Sequence, residues 1–131
     1  MLQELSDLID EAPAAKTDAF PFVLAAGERR TSTANTIYRD PSWRKKDQSG
    51  SLRISPGDAE RVGVETGGRV RVTTKRGSAI AIVEVSDTLR DGHVTLPNGF
   101  GVEYPDENGV RVVHGIAPND LTSSEDRDWI A

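Results

Sequence analysis

The feature that most constrains this 131-residue chain is its punctuation. From Phe20 onward, short runs of Val, Ile and Leu recur with turn signals between them about every eight to twelve residues, the rhythm of a sandwich or barrel. Phe22, Val23 and Leu24 run through Ala25 and Ala26 to Gly27, which predicts a buried strand opening into a loop. Leu52 and Ile54, then Val70 and Val72, alternate with polar or cationic neighbours, the period of a strand with one buried face. Lys75-Arg76-Gly77-Ser78 reads as a hairpin turn into a strand carrying Ile80, Ile82 and Val85. Asp91-Gly92 precedes Val94 and Leu96, and Asp106-Glu107-Asn108-Gly109 precedes Val110, Val112 and Val113. The expected class is therefore mainly β, with one core, since a chain of this length buries roughly two-thirds of its unfolded surface without subdivision.

One helix interrupts the pattern and another precedes it. Ser55 stands as an N-cap, Pro56 suits the first helical position, Asp58 favours the positive helix end, and Gly63 closes a turn whose Ala59 and Val62 are expected to face inward. Strand, short helix, Gly-Val-Glu-Thr-Gly-Gly turn and strand is the local order from Leu52 to Thr74, and the helix reads as a structural plug. Over residues 1–11, Leu2, Leu5, Leu8 and Ile9 recur at helical spacing with acids between them. Pro13, Ala14 and Ala15 then mark a linker. The expected organisation is an amphipathic helix and linker over 1–19, belonging to a preceding domain, and one barrel domain over 20–131.

Composition removes several classes of chemistry. The chain has no cysteine, so it offers no disulfide, thiolate metal site, iron-sulfur ligand or cysteine nucleophile of its own. No window holds the roughly 18 to 20 apolar residues of a membrane span, and residues 1–20 carry acids where a signal peptide has a basic start, so for this segment no membrane insertion is expected, and the expected location is cytoplasmic, with export of the parent enzyme as the alternative. The net charge of −5 argues against a general nucleic-acid binder. That average conceals a segregation. Residues 1–28 hold one Lys against six acids; residues 29–53 hold seven cations, Arg29, Arg30, Arg39, Arg44, Lys45, Lys46 and Arg53, against Asp40 and Asp47. Residues 54–131 hold eight cations against thirteen acids. The basic island is either a solvated loop or an anion site, because guanidinium offers a fixed fork of donors that matches phosphate.

Catalytic constellations are sparse. His93 and His114 are the only histidines, each beside a strand-like Val, and the paired carboxylates Asp106 and Glu107 or Glu125 and Asp126 lie in turn-like segments. No His-x-x-x-His pair and no Gly-x-Ser-x-Gly elbow is present. Four loops suit a ligand better: 27–35, where a strand ends in glycine before two Arg, hydroxyls and an amide; 38–44, with Tyr38, Trp43 and two further Arg; 96–101, glycine-rich after a strand; and 118–122, with Asn119 and Thr122. Each also reads as an ordinary polar turn.

Taken in order, Pro21-Phe22-Val23-Leu24-Ala25-Ala26-Gly27-Glu28-Arg29-Arg30, Thr33-Ala34-Asn35-Thr36, Ser55-Pro56-Gly57-Asp58-Ala59 through Gly63 with Gly67-Gly68-Arg69-Val70, Leu96-Pro97-Asn98-Gly99, and Asn119-Asp120-Leu121-Thr122 form a series. This series resembles the carboxy-terminal molybdopterin dinucleotide-binding domain of the formate dehydrogenase, nitrate reductase and dimethyl sulfoxide reductase group, over roughly residues 20–126. The resemblance implies a double-psi β-barrel with short helices whose loops grip a molybdopterin guanine dinucleotide, the molybdenum or tungsten being bound by other domains. It implies cofactor contacts at Gly27, Glu28, Arg29, Arg30, Thr33, Asn35, Asn119 and Thr122, with Asn119 toward the pterin and either Arg29 or Arg30 toward the diphosphate. Its partners would be the remaining domains of the parent oxidoreductase, and the isolated domain would not turn over. Glu-Arg-Arg follows the glycine here where others of the family have Gly-Arg. A small barrel also admits two other readings. One is a pyruvoyl-dependent aspartate decarboxylase, for which Gly50-Ser51 and Gly77-Ser78 are the candidate cleavage sites. The other is a protein-binding adaptor like the amino-terminal domain of some AAA ATPases.

Overall fold

The computed structural model describes residues 18–28, 30 and 50–123. The expected helix over 1–11, and Glu125 and Asp126, lie outside the described residues. Seven strands follow one another, β1 (Val23–Glu28), β2 (Leu52–Ile54), β3 (Arg69–Thr73), β4 (Ser78–Val85), β5 (His93–Pro97), β6 (Glu103–Pro105) and β7 (Arg111–Val113). Helix α1 (Pro56–Val62) sits between β2 and β3, and a single 3₁₀ turn, Pro118–Asp120, follows β7. The protein is mainly β with short helices, as the turn rhythm requires.

Five strands form one sheet in the order β1-β5-β2-β4-β3, and β6 pairs only with β7. Among the described residues the sheet does not close on itself; β1 and β3 are its edges. β1 runs parallel to β5 and β2 parallel to β4, while β2 and β5 are antiparallel and β3 and β4 form an antiparallel hairpin. The two parallel pairs join segments far apart in sequence, so they depend on tertiary packing and not on turns. The core gathers Leu52, Ile54, Ala81, Val83, Val94 and Leu96 from the sheet with Ala59 from α1 and Ile116 and Leu121 from the carboxy-terminal segment.

Helix α1 forms where its caps dictate. Ser55 takes an extended conformation, φ −67° and ψ 155°, and its hydroxyl accepts the Asp58 N–H; Pro56 follows at the first position, where a missing N–H costs nothing. Gly63 stops the helix in the left-handed region, φ 75° and ψ 39°, and its N–H reaches the Ala59 and Glu60 carbonyls. The inward face differs from expectation. Ala59 is buried, but Val62 is 51% exposed, and the second inward residue is Asp58, which is fully buried. Asp58 turns inward because its carboxylate has dedicated partners: Oδ2 accepts the Gly92 N–H and Oδ1 faces the Arg61 guanidinium. Ser55 adds a hydroxyl hydrogen bond to Asp91 Oδ1. The helix is thereby tied to the turn that launches β5.

The predicted hairpin at residues 75–78 is present. Thr74 N–H donates to the Gly77 carbonyl, and the Thr74 hydroxyl accepts the Arg76 and Gly77 N–H groups, which closes the turn. It sets a register in which Arg69, Arg71 and Thr73 oppose Ile82, Ile80 and Ser78 on the outer face. Ala81 and Val83 face the core in consequence.

Candidate functional site

The end of β1 is built around an irregularity. The β1–β5 register shifts between Ala26 and Glu28, with Gly27 at φ 91°, a conformation that side-chain-bearing residues rarely adopt. Because β1 and β5 are parallel, their carboxy-terminal ends lie on one edge, and the Asn98 N–H beyond β5 donates to the Glu28 carbonyl at 3.1 Å. A Cβ placed on Gly27 would stand 3.4 Å from Asn98 Oδ1, so the Asn98 carboxamide rests against the bare Cα. The 3₁₀ turn carrying Asn119 packs on β1. It is locked to the segment after β5 at Gly101, whose N–H donates to the His114 carbonyl and where a Cβ would overlap the Ala117 backbone nitrogen. Three chain segments, 27–28, 98–101 and 117–122, therefore converge at the end of the parallel pair.

Beneath this edge lies a charge network. Glu28 Oε2 accepts from Arg30 Nε at 3.0 Å, Arg30 Nη2 at 2.9 Å and the Thr95 hydroxyl at 2.7 Å, while Oε1 accepts from Arg53 Nη1 at 2.9 Å. Arg30 Nη2 also donates to the Ser51 carbonyl at 2.7 Å, and Arg53 Nε bonds Glu84 Oε2 at 3.2 Å. Arg30 is 7% exposed. Burial alone would push the Glu28 carboxyl up, but the Thr95 and Arg30 hydrogen bonds and the Arg30 and Arg53 charges outweigh it and hold the group below the ordinary carboxylate value. Burial likewise disfavours charged Arg53, and Glu84 and Glu28 more than compensate, so its pKa is raised. Two cations and two carboxylates balance, and the network ties β1, β2, β4 and β5 together.

The expected cofactor residues divide accordingly. Gly27, Glu28 and Asn119 reach the same edge, and Arg30 is buried under it. Thr122 lies just beyond, its hydroxyl donating to the Pro118 carbonyl at 3.3 Å. Arg29, Thr33 and Asn35 lie outside the described residues, as does the loop 38–44. Sequence reasoning did not assign Arg53, Glu84 and Thr95 to this region, nor give Asn98 a role; the one local signal was the Pro97-Asn98-Gly99 segment after a strand, which also reads as a turn. The remaining candidates are locally accounted for. His93 Nδ1 lies 3.3 Å from the Asp91 carbonyl, His114 packs 5.6 Å from the Tyr104 ring, and Asp106 Oδ1 accepts the Asn108 and Val110 N–H groups of its own turn.

Among the described residues no group of three or more His, Asp or Glu comes together to hold a metal ion. Two surface hollows of about 380 and 390 Å³ lie elsewhere. One is at the start of β1, beside Phe22, Val62 and Gly92; the other lies between Ile80 and Ile82 of β4 and residues 113–116. No described helix is long and apolar enough to cross a membrane.

Comparison with known families places the chain as a whole. The family model described as "Molydopterin dinucleotide binding domain" matches residues 22–131. The chain belongs to the molybdopterin dinucleotide-binding domain family. The match spans every described strand and the glycine bulge, so the edge formed by β1, β5 and the 3₁₀ turn lies inside the molybdopterin dinucleotide-binding domain. No curated protein matches the sequence. Among solved structures, acetylene hydratase from Pelobacter acetylenicus is similar at 18% identity with a TM-score of 0.49, over 70% of this chain and 12% of that one. The molybdopterin dinucleotide-binding domain described here thus spans about an eighth of the length of that protein.

Proposed function

We propose that this domain grips a molybdopterin guanine dinucleotide within a larger molybdenum or tungsten oxidoreductase of the formate dehydrogenase type, and that its strands belong to a double-psi β-barrel. The family match over residues 22–131 carries the reading. The donor set at the β1–β5 edge supports it: a glycine that admits close approach, carboxamides able to donate and accept at once, and a basic connection leaving directly from β1. The two parallel pairs, β1 with β5 and β2 with β4, support the barrel.

In this reading Gly27 forms the floor of the site, Arg29 meets the diphosphate, and Asn119 pairs with a heterocycle edge. Thr33, Asn35 and Thr122 supply further polar contacts. Arg30 takes a supporting role in this reading, because its guanidinium bonds Glu28 and the Ser51 carbonyl. Glu28 and Arg30 support the edge from below. When bound, the cofactor and its metal supply the redox chemistry, while this domain binds, orients and neutralises charge. Its partners are the other domains of the parent enzyme.

The test is Arg29→Ala in the full-length enzyme, with molybdenum and pterin counted per protein. Cofactor occupancy should fall severalfold; wild-type occupancy would overturn the reading.

A further inference from the structure

We infer that Asn98 is a ligand-contacting residue of this edge, pairing with the ring N–H and adjacent ring C=O that pterin and guanine share. The inference rests on the cofactor reading above and names a contact that reading does not contain. Asn98 is the first residue beyond β5, as Gly27 and Glu28 are the last of β1, so the parallel pairing puts it on the same edge. Its backbone is locked from three sides. Pro97 before it is buried, Gly99 after it turns at φ 81°, and its own N–H is held by the Glu28 carbonyl. Its side chain is otherwise uncommitted among the described residues. The carboxamide makes no hydrogen bond to any of them, and it rests in van der Waals contact over Gly27, whose φ of 91° disfavours a side chain.

A carboxamide fixed at its root and unbonded at its tip can accept a ring N–H with its oxygen while its NH₂ donates to the neighbouring ring C=O. Asn119 is exposed and unbonded in the same way, and the Gly101–Ala117 contact couples its turn to the segment that follows Asn98. One carboxamide thus lies against the bare glycine, and the turn carrying the other packs on the same strand. Asn108 is the internal control: it is a third Asn, set in the β6–β7 turn, where its own N–H bonds Asp106. Glu28 acts on Asn98 only through the backbone, its carboxylate held by Thr95, Arg30 and Arg53 while its carbonyl holds the Asn98 N–H.

The experiment titrates the isotope-labelled 131-residue chain with guanosine diphosphate and, separately, with 6-hydroxymethylpterin, following the side-chain NH₂ signals. The Asn98 and Asn119 signals should move with one probe or the other, which tells guanine from pterin, and Asn108 should stay still. Asn98→Ala should weaken binding of that probe about tenfold, the worth of a lost hydrogen-bonded pair. Its thermal midpoint should not change, since the side chain bonds nothing among the described residues. A probe that binds and moves Asn119 while Asn98 is silent, with Asn98→Ala binding as the wild type does, overturns the role of Asn98 and leaves the cofactor reading intact. If neither probe binds the isolated chain, the full-length enzyme decides: Asn98→Ala should lose pterin on gel filtration, and wild-type pterin retention overturns the inference. The cofactor reading itself falls only if Arg29→Ala retains its pterin too.

Discussion

Glu28 accepts hydrogen bonds from side chains on the chain just after β1, on β2 and on β5, which makes its ionised form part of the fold. Its carboxyl is held below the ordinary value, so the sign of its contribution is fixed: stability from Glu28 is present above the unfolded glutamate pKa of about 4.3 and is lost as pH falls through the lower folded value. Glu28→Gln keeps the shape and removes the charge opposite the buried Arg30. It should cost about 1–3 kcal/mol at pH 7 in urea unfolding, and that deficit should shrink as pH drops below the carboxylate range. A deficit independent of pH would show that shape and not charge holds the network. At this scale the sequence was half informative. Two adjacent arginines after a glycine read equally as a solvated loop or an anion site, and the composition of neighbours could not say that Arg30 bonds Glu28 and Ser51, because that geometry is defined only once β1, β2 and β5 meet.

Among elements, α1 was the most legible, since its caps act within four residues and need no tertiary partner. Which face it buries was not. Val62 is the apolar choice by composition, but the helix is rotated so that Asp58 can hold the Gly92 N–H, a contact 34 residues away. The strand β4 poses the same problem more sharply. Ser78-Ala79-Ile80-Ala81-Ile82-Val83 is apolar on both alternations, so periodicity cannot choose a face; the Thr74–Gly77 turn sets the register and sends Ile80 and Ile82 outward. Glycines separate two kinds of constraint. Gly63 and Gly101 have nearly equal φ, 75° and 77°, but a Cβ meets nothing within 4 Å at Gly63 and overlaps Ala117 at Gly101. Gly63→Ala should cost about 1 kcal/mol from backbone strain alone, and Gly101→Ala about 2–4 kcal/mol because the turn carrying Asn119 must move as well. Equal losses in denaturant unfolding would contradict the Gly101–Ala117 lock.

For the molecule as a whole, the pairing is long-range: Val23 lies beside His93 and Leu52 beside Val83. Closing such loops precedes the contacts that compensate for them, so refolding of the chain should take milliseconds to seconds in stopped-flow; complete refolding in microseconds would rule out parallel pairing as the slow step. The charge segregation also changes meaning at this scale. Of the seven cations between residues 29 and 53, Arg30 and Arg53 are neutralised by Glu28 and Glu84, which lie outside that stretch in sequence but against it in space. The sequence by itself determined every described strand but β6, together with the hairpin turn, the helix caps and the resemblance to a molybdopterin dinucleotide-binding domain. Each of these is written in residues close together or in motifs read in order. Only the tertiary structure decided that β1 and β5 run side by side, that Arg30 is internal, and that the Asn98 carboxamide lies over Gly27. Those outcomes depend on which distant segments share a strand edge, a choice made by burial and register and not by local propensity.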